Sequence, residues 1–314
     1  MYKTFFSLSR NPFEISPDPY FLFPSDRHKD ALASIYYGIR RRKGFVVMTG
    51  EVGTGKTLLV RCLLELLNRQ QVSFANVFNP LLSGAEFLRY VVGDLGLKSP
   101  DNSKSSLLAS LNEFLIGRYR KGLCTVLIVD EAQCLLPEVL EEIRLLTNLE
   151  TPQEKLLQIL LVGQPELEER LDSPELRQLK QRIALRSRLE AFDDRETREY
   201  IVQRLRRAGM AEGAESVFPA DTISAVYQYS RGIPRLINTL CENALIVAFA
   251  RQTKRVGPDM VREVCAEFRL DHEPTKAPGK TYGQDQQAAV GTLRELLESL
   301  QRFRARSTTL VPFL

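Results

Sequence analysis

Lys56 and Thr57 close the run GEVGTGKT, residues 50–57, which gathers the residue types that phosphate chemistry uses. Glycines let successive backbone N–H groups turn inward around a polyphosphate. A lysine ammonium at this point reaches β- and γ-phosphates, and a threonine hydroxyl is a ligand for Mg²⁺. Further along, Asp130 and Glu131 follow the apolar run of TVLIVDEAQ, residues 125–133. The aspartate can hold Mg²⁺ directly or through water. The glutamate can polarise the water that attacks a γ-phosphate. The implied substrate is a nucleoside triphosphate. Gly50, Glu51, Val52, Gly53, Thr54, Gly55, Lys56, Thr57 and Leu58 are its candidate binding residues, and Thr57 and Asp130 the candidate metal ligands.

Transfer of a phosphoryl group also needs charge stabilisation at the groups that part. Gln164 ends an apolar run in LLVGQPEL and can hydrogen-bond a γ-phosphate or the attacking water. Arg235, in RGIPR, opens a helical pattern, where a cation is disfavoured by the helix dipole unless it has an anion to meet. LRQLKQRIALR carries Arg177, Arg182 and Arg186, any of which can act on a neighbouring subunit's nucleotide; Arg182 is preferred, then Arg177.

These residues must be set on elements. Phe45–Met48 reads as a strand before the glycine run, and a helix follows Lys56, the strand–loop–helix order a phosphate loop requires. Further strands are expected over 72–78, 125–129, 156–162 and 184–189, with helices over about 26–42, 84–95, 106–120 and 137–149. Two short helices are expected around Ser173-Pro174. Thr125–Val129 is wholly apolar and β-branched apart from Leu127 and its first residue, as in a strand buried on both faces. Alternation of this kind implies an α/β fold, a parallel sheet between helical layers, with its ligands at the carboxyl edge. After Phe192 only helical patterns remain, at 194–208, 219–229, 234–251 and 258–270.

The expected organisation is therefore an α/β nucleotide domain over 1–192 with a lead-in rich in Pro and aromatics, and a small helical lid over 193–270 with ATP between the two. A linker over 271–286 and an amphipathic helix with an apolar tail over 287–314 complete it. Prolines at 12, 17 and 19 argue against helix in the lead-in, whose rings are expected to pack on the body of the protein. The final helix, with Val290, Leu293, Leu297 and Leu300 on one stripe, suits a partner helix or an apolar patch of the same chain.

The 314 residues carry 44% hydrophobic and 26% charged residues, ordinary for a globular protein. A net charge of +4 does not by itself imply a nucleic-acid partner. The basic runs Arg40–Lys43 and Arg204, Arg206, Arg207 suit either phosphates or solvated helix ends. Five scattered cysteines and two histidines leave little material for a zinc site or Ser-His catalysis and suit free thiols in a reducing compartment. No run approaches the roughly eighteen apolar residues of a membrane span, and a cytoplasmic location is expected.

The motifs GFVVMTGEVGTGKT, VLIVDEAQ, LLVGQPEL and RGIPRLIN, with the lead-in NPFEISPDPYFLFPS, resemble AAA+ ATPases. Within that class they look most like the general secretion pathway protein A group, over roughly residues 1–270. The core is also similar to ATPases that regulate transposition. The resemblance implies a Walker A motif at Gly50–Thr57, a Walker B motif ending at Asp130-Glu131, sensor 1 at Gln164 and sensor 2 at Arg235. It implies that Asn11, Pro12 and Phe13 lie near adenine. It further implies a Mg²⁺-dependent ATPase that assembles with ATP between subunits and serves a secretion or cell-envelope export system beside an inner-membrane partner. A DNA-binding regulator of transposition is the alternative. By the same resemblance, relatives often continue into a membrane span and a wall-binding region; these 314 residues close on one amphipathic helix, so direct wall binding is not expected of them.

Overall fold

The computed structural model describes residues 2–68, 71–78, 81–210 and 213–270. The contacts divide the chain into two units. One comprises Asp26–Val52 and Leu59–Leu189. The other joins the lead-in up to Ser25, the loop Gly53–Leu58 and residues 190–270. The expected linker and terminal helix lie outside the described residues.

The first unit is a five-stranded sheet of β1 (Phe45–Gly50), β2 (Ser73–Val77), β3 (Thr125–Val129), β4 (Gln158–Gly163) and β5 (Ile183–Leu189). The spatial order is β2-β3-β4-β1-β5, and every pairing is parallel. β1, β3 and β4 are buried along their whole length, which is why they read as unbroken apolar runs. Alternate residues feed two cores. Phe45, Val47, Leu127, Val129, Ile159 and Leu161 enter one, which α4 (Gly84–Asp94), α5 (Lys104–Arg120) and α6 (Pro137–Leu146) help to line. Val46, Met48, Val126, Ile128, Leu160 and Val162 enter the other, with α2 (Asp26–Arg40) and the later turns of α3 (Lys56–Asn68). Each large aliphatic side chain so buried contributes about 1.5–3 kcal/mol before its ordering cost. Short helices α7 (Glu166–Leu171) and α8 (Arg177–Lys180) bridge β4 and β5.

The second unit contains α9 (Asp194–Arg207), α10 (Ala214–Val217), α11 (Ala220–Ser230), α12 (Pro234–Ala250) and α13 (Pro258–Glu267). Its core includes lead-in residues Phe6, Leu8, Phe13 and Phe21. The helical unit begins at Glu190, and the lead-in groups with it. The reason is hydrogen bonding as well as apolar burial. Ser9 N–H donates to the Ala208 carbonyl at 2.7 Å, and Arg204 donates to the Pro12 carbonyl. The lead-in also holds one helical turn, α1 (Tyr2–Phe5), against expectation. It precedes the first proline, so the steric argument never reached it. Among the described residues no helix is long and apolar enough to cross a membrane.

Candidate nucleotide site

β3 hands its chain to the acidic pair. The Asp130 N–H extends the ladder by donating to the Val77 carbonyl at 3.0 Å, and its Oδ1 accepts the Glu131 N–H at 2.9 Å. Asp130 is 6% exposed. Glu131 then adopts a left-handed backbone, φ 52°, which breaks the strand and starts a tight turn over Ala132–Cys134. This turn leaves the Glu131 side chain exposed beyond the sheet edge. Gln164 follows β4, and its Nε2 donates to Glu131 Oε2 at 3.3 Å. Thr49 of β1 pairs in register with Gly163, so β1 delivers Gly50 to the same carboxyl edge. Asp130, Glu131, Gln164 and the root of the glycine loop thus share one edge of one parallel sheet.

The distal half of the loop has its own setting. Gly53 and Gly55 hold φ of +83° and +101°, conformations that side chains rarely adopt. The Gly53 carbonyl accepts the Arg235 N–H at 3.2 Å. A Cβ on Gly53 would stand 2.7 Å from the Arg235 Cβ and 3.1 Å from the Ile233 Cγ2. Glycine therefore permits the close approach of RGIPR, and Arg235 sits exposed beside the loop. The RGIPR turn needs its own glycine. Gly232, at φ +73°, bonds the Phe192 N–H through its carbonyl at 2.9 Å, and a Cβ there would fall 1.8 Å from the Phe192 carbonyl oxygen. Thr54 is fully buried and Lys56 is 7% exposed at the first turn of α3. A cation at the positive end of a helix is disfavoured by the dipole, and an anion bound there offsets it. Glycines in positive φ, a helix N-terminus and a buried lysine fit a polyphosphate. Thr57 carries a hydroxyl and Asp130 a carboxylate, each the kind of hard oxygen donor that Mg²⁺ takes.

The other sequence candidates are placed as follows. Phe13 is fully buried and packs edge-to-face on Phe218 with ring centroids 5.8 Å apart, so no face of its ring is open to a base. Asn11 is half-buried. Arg182 donates to the Thr147 hydroxyl and to Asn148 Oδ1. It precedes Ile183, which pairs with Phe45 at the amino edge of the sheet, opposite to Glu131. Arg177 and Arg186 are exposed. Arg204 and Arg207 are not a phosphate-binding cluster. Arg204 is buried, bonded to the Pro12 carbonyl and the Tyr200 hydroxyl, with its guanidinium 4.6 Å from the Phe21 ring. Arg207 donates to the carbonyls of Tyr20 and Leu22. The run Arg40–Lys43 differs. Arg42 donates to the Leu123 carbonyl at 3.0 Å, which brings the end of α2 beside the end of α5 and its Arg118, Arg120 and Lys121. Arg40, Arg41, Lys43, Arg120 and Lys121 are exposed there. Among the described residues no group of three His, Cys, Asp or Glu side chains could hold a metal.

Sequence reasoning gave no role to Gln133, Gly163 or Arg170, although Gln133 closes the quoted TVLIVDEAQ run. Gln133 Nε2 donates to Glu131 Oε2 at 2.6 Å, and its Oε1 accepts the Gln164 N–H at 3.0 Å. Its position two residues after the acidic pair was the available signal.

Comparison with known proteins agrees with this fold. A family model described as an AAA domain matches residues 39–171. General secretion pathway protein A of Aeromonas hydrophila is 44% identical over 257 residues, which are 82% of this chain and 46% of that protein. The chain thus spans about half the length of this curated relative. Among solved structures, Cdc6p from Pyrobaculum aerophilum matches with a TM-score of 0.60 at 21% identity, over 84% of this chain and 70% of that one. A chain in the structure of Drosophila ORC bound to DNA matches with a TM-score of 0.63 at 20% identity, over 84% and 66%. At those identities the structures show shared fold alone. The family match and the parallel sheet that carries the glycine loop make residues 39–171 an AAA domain of the P-loop nucleotide-binding kind, and the chain is a relative of general secretion pathway protein A.

Proposed function

We propose that this chain hydrolyses ATP to ADP and phosphate and works as an oligomeric assembly or energising ATPase of a secretion or cell-envelope export system. The observation that carries the reading is the meeting of Glu131 with Gln164 at the edge where β1 delivers the glycine loop. The N–H groups of Gly50–Leu58 cradle the phosphates, and Lys56 pairs the β- and γ-phosphate oxygens. Thr57 and Asp130 would hold Mg²⁺, which would supply charge neutralisation to the phosphates. Glu131 orients and deprotonates the attacking water, and Gln164 hydrogen-bonds the γ-phosphate. Arg235 serves as the cation that senses it. One of Arg182, Arg177 and Arg186 serves a neighbouring copy of the chain, so the assembly is a homo-oligomer. The name of the 44% identical relative supports the export role. The partner proposed for that role is an inner-membrane protein, with this chain peripheral to that membrane.

The test is nucleotide binding and turnover in wild type, Lys56→Ala and Glu131→Gln. The lysine variant loses affinity. The glutamine variant keeps affinity and loses turnover by about 10²–10⁴-fold, the range of general base catalysis. Unchanged affinity in Lys56→Ala overturns the site assignment, and unchanged turnover in Glu131→Gln overturns the hydrolytic reading.

A second reading, ATP-dependent binding of duplex DNA, is favoured by the exposed cations where α2 and α5 end together. It requires a salt-sensitive gel shift with an ATP analogue. No complex at low salt removes it.

A further inference from the structure

Both ends of the Gln133 amide are used. The nitrogen donates to the Glu131 carboxylate at 2.6 Å, and the oxygen accepts the main-chain N–H of Gln164 at 3.0 Å. Reversing the amide would set oxygen against carboxylate and nitrogen against N–H, so the network fixes its orientation. The main chain is anchored too. Arg170 donates to the carbonyl of Gln133, and to that of Leu135 at 2.8 Å. Gly163 supplies the space. A Cβ there would lie 3.0 Å from Gln133 Oε1 and 2.9 Å from the Leu167 Cδ2. A glycine ends β4 because the amide lies over it.

We infer that Gln133 is a positioning residue that holds the Glu131 carboxylate at a fixed distance from Gln164, with Gly163 as the space it requires. The inference rests on Glu131 being the base. Glu131 is exposed and stands on a left-handed turn, so nothing in its own backbone aims its carboxylate. Two amides aim it, and they differ. The Gln164 side-chain bond is the longer, 3.3 Å. It is the one a γ-phosphate oxygen displaces when it takes the Gln164 Nε2. The shorter bond from Gln133 remains, so the base stays aimed while the sensor turns to phosphate.

The experiment is steady-state ATP hydrolysis by the full chain with Mg²⁺, for wild type, Glu131→Gln, Gln133→Met, Gln133→Glu and Gly163→Ala. Gln133→Met keeps length and loses both amide ends. Its kcat is expected to fall about tenfold, the weight of one hydrogen bond to a charged group. KM should hold within about twofold, because the interaction is not made to bound substrate. Gln133→Glu still accepts the Gln164 N–H but sets a second carboxylate against Glu131, so its kcat should fall further than that of Gln133→Met. Gly163→Ala keeps the amide and crowds it, and should lower kcat with KM kept. A kcat unchanged in Gln133→Met, a KM that rises in step with the loss of kcat, or a milder effect in Gln133→Glu overturns the inference. Should Gln133→Met not fold, Gln133→Glu and Gly163→Ala decide the question. Wild-type turnover surviving in Glu131→Gln overturns the reading of the base as well, whereas an inactive Glu131→Gln beside a fully active Gln133→Met overturns the positioning role alone.

Discussion

The sheet unit and the helical unit bury apolar surface by different means. In the two cores of the sheet unit the buried side chains are almost all aliphatic, with Phe45 and Phe87 the aromatic exceptions. The helical core holds Phe6, Phe13, Phe21, Phe192, Tyr200 and Phe218. The sheet's layers come from strand and helix segments near in sequence. The helical unit is closed by a lead-in far from α9 in sequence, as in the bond from Arg204 to the Pro12 carbonyl, 192 residues apart. Loop closure entropy grows only as the logarithm of the separation, so a distant segment costs little more than a near one. Large rings then offset that cost with few residues, since each buries far more area per ordered residue than an alanine or valine. The lead-in is accordingly a structural part of the helical unit, whatever else it touches.

The strongest way to break that comparison is Phe13→Ala. The ring is fully buried and rests edge-to-face on Phe218. Truncation should cost about 3–5 kcal/mol, the usual range for a buried phenylalanine. Hydrogen exchange read region by region is the measurement. Amides of α9, α11 and α12 should exchange faster, while those of β1, β3 and β4 hold their protection. Equal acceleration in the strands would show that the lead-in does not belong to the helices in the sense argued.

Gly232→Ala sharpens the same point at backbone level, with a somewhat smaller effect of about 2–4 kcal/mol, the sum of a strained left-handed residue and a lost hydrogen bond. The Cβ cannot be accommodated by a side-chain rotation, because the atom it meets is the Phe192 carbonyl oxygen. The bond from the Phe192 N–H to Gly232 must lengthen. The measured quantity is again local exchange, at the amides of α12. Unchanged protection there would mean that the turn can shift freely and that the glycine serves only the loop beside it.

This contrast explains what could be read from the chain. Strands buried on both faces write themselves as apolar runs, so Thr125–Val129 was placed to the residue. The turn between β1 and α3 was legible because its glycines mark positive φ, which Gly53 and Gly55 adopt, and RGIPR because a glycine and proline punctuate its turn. The partnership of the lead-in was not legible. Phe13 looks the same in a sequence whether it meets a base or Phe218, and no periodicity links residues 1–25 to residues 190–270. Arg204 and Arg207 misled for a related reason. A run of arginines signals charge, and only tertiary structure reveals that their guanidinium groups satisfy the carbonyls of Pro12, Tyr20 and Leu22. The role of Gln133 was not legible either, since its two bonds depend on how the turn after Glu131 meets the end of β4.

The smallest expected effect tests whether the ties of the lead-in are polar or apolar in origin. The Tyr2 hydroxyl lies 2.7 and 2.8 Å from the two oxygens of Glu242, on α12. Burial pushes the Glu242 carboxyl above its ordinary range, against the opposing pull of the Tyr2 bond. Burial likewise pushes Tyr2 up, aided by the bond to Glu242, so the tyrosine stays protonated throughout the carboxylate range. A carboxyl whose pKa is raised by folding binds its proton more tightly in the native state. Its contribution to stability is fully present below the unfolded pKa and is lost as pH rises through the folded one. Glu242→Gln does not titrate there and still offers Tyr2 an acceptor. The stability of wild type relative to Glu242→Gln should therefore rise on acidification from neutral pH through the carboxylate range, by under about 1 kcal/mol for a half-exposed group. Adding Tyr2→Phe to both proteins removes the opposing bond and should enlarge that pH dependence. Denaturation midpoints of the helical unit against pH decide it. A wild type that loses ground to Glu242→Gln on acidification would mean that the Tyr2 bond to the carboxylate outweighs burial, and that a polar tie, not ring packing alone, fastens the first turn of the chain to α12.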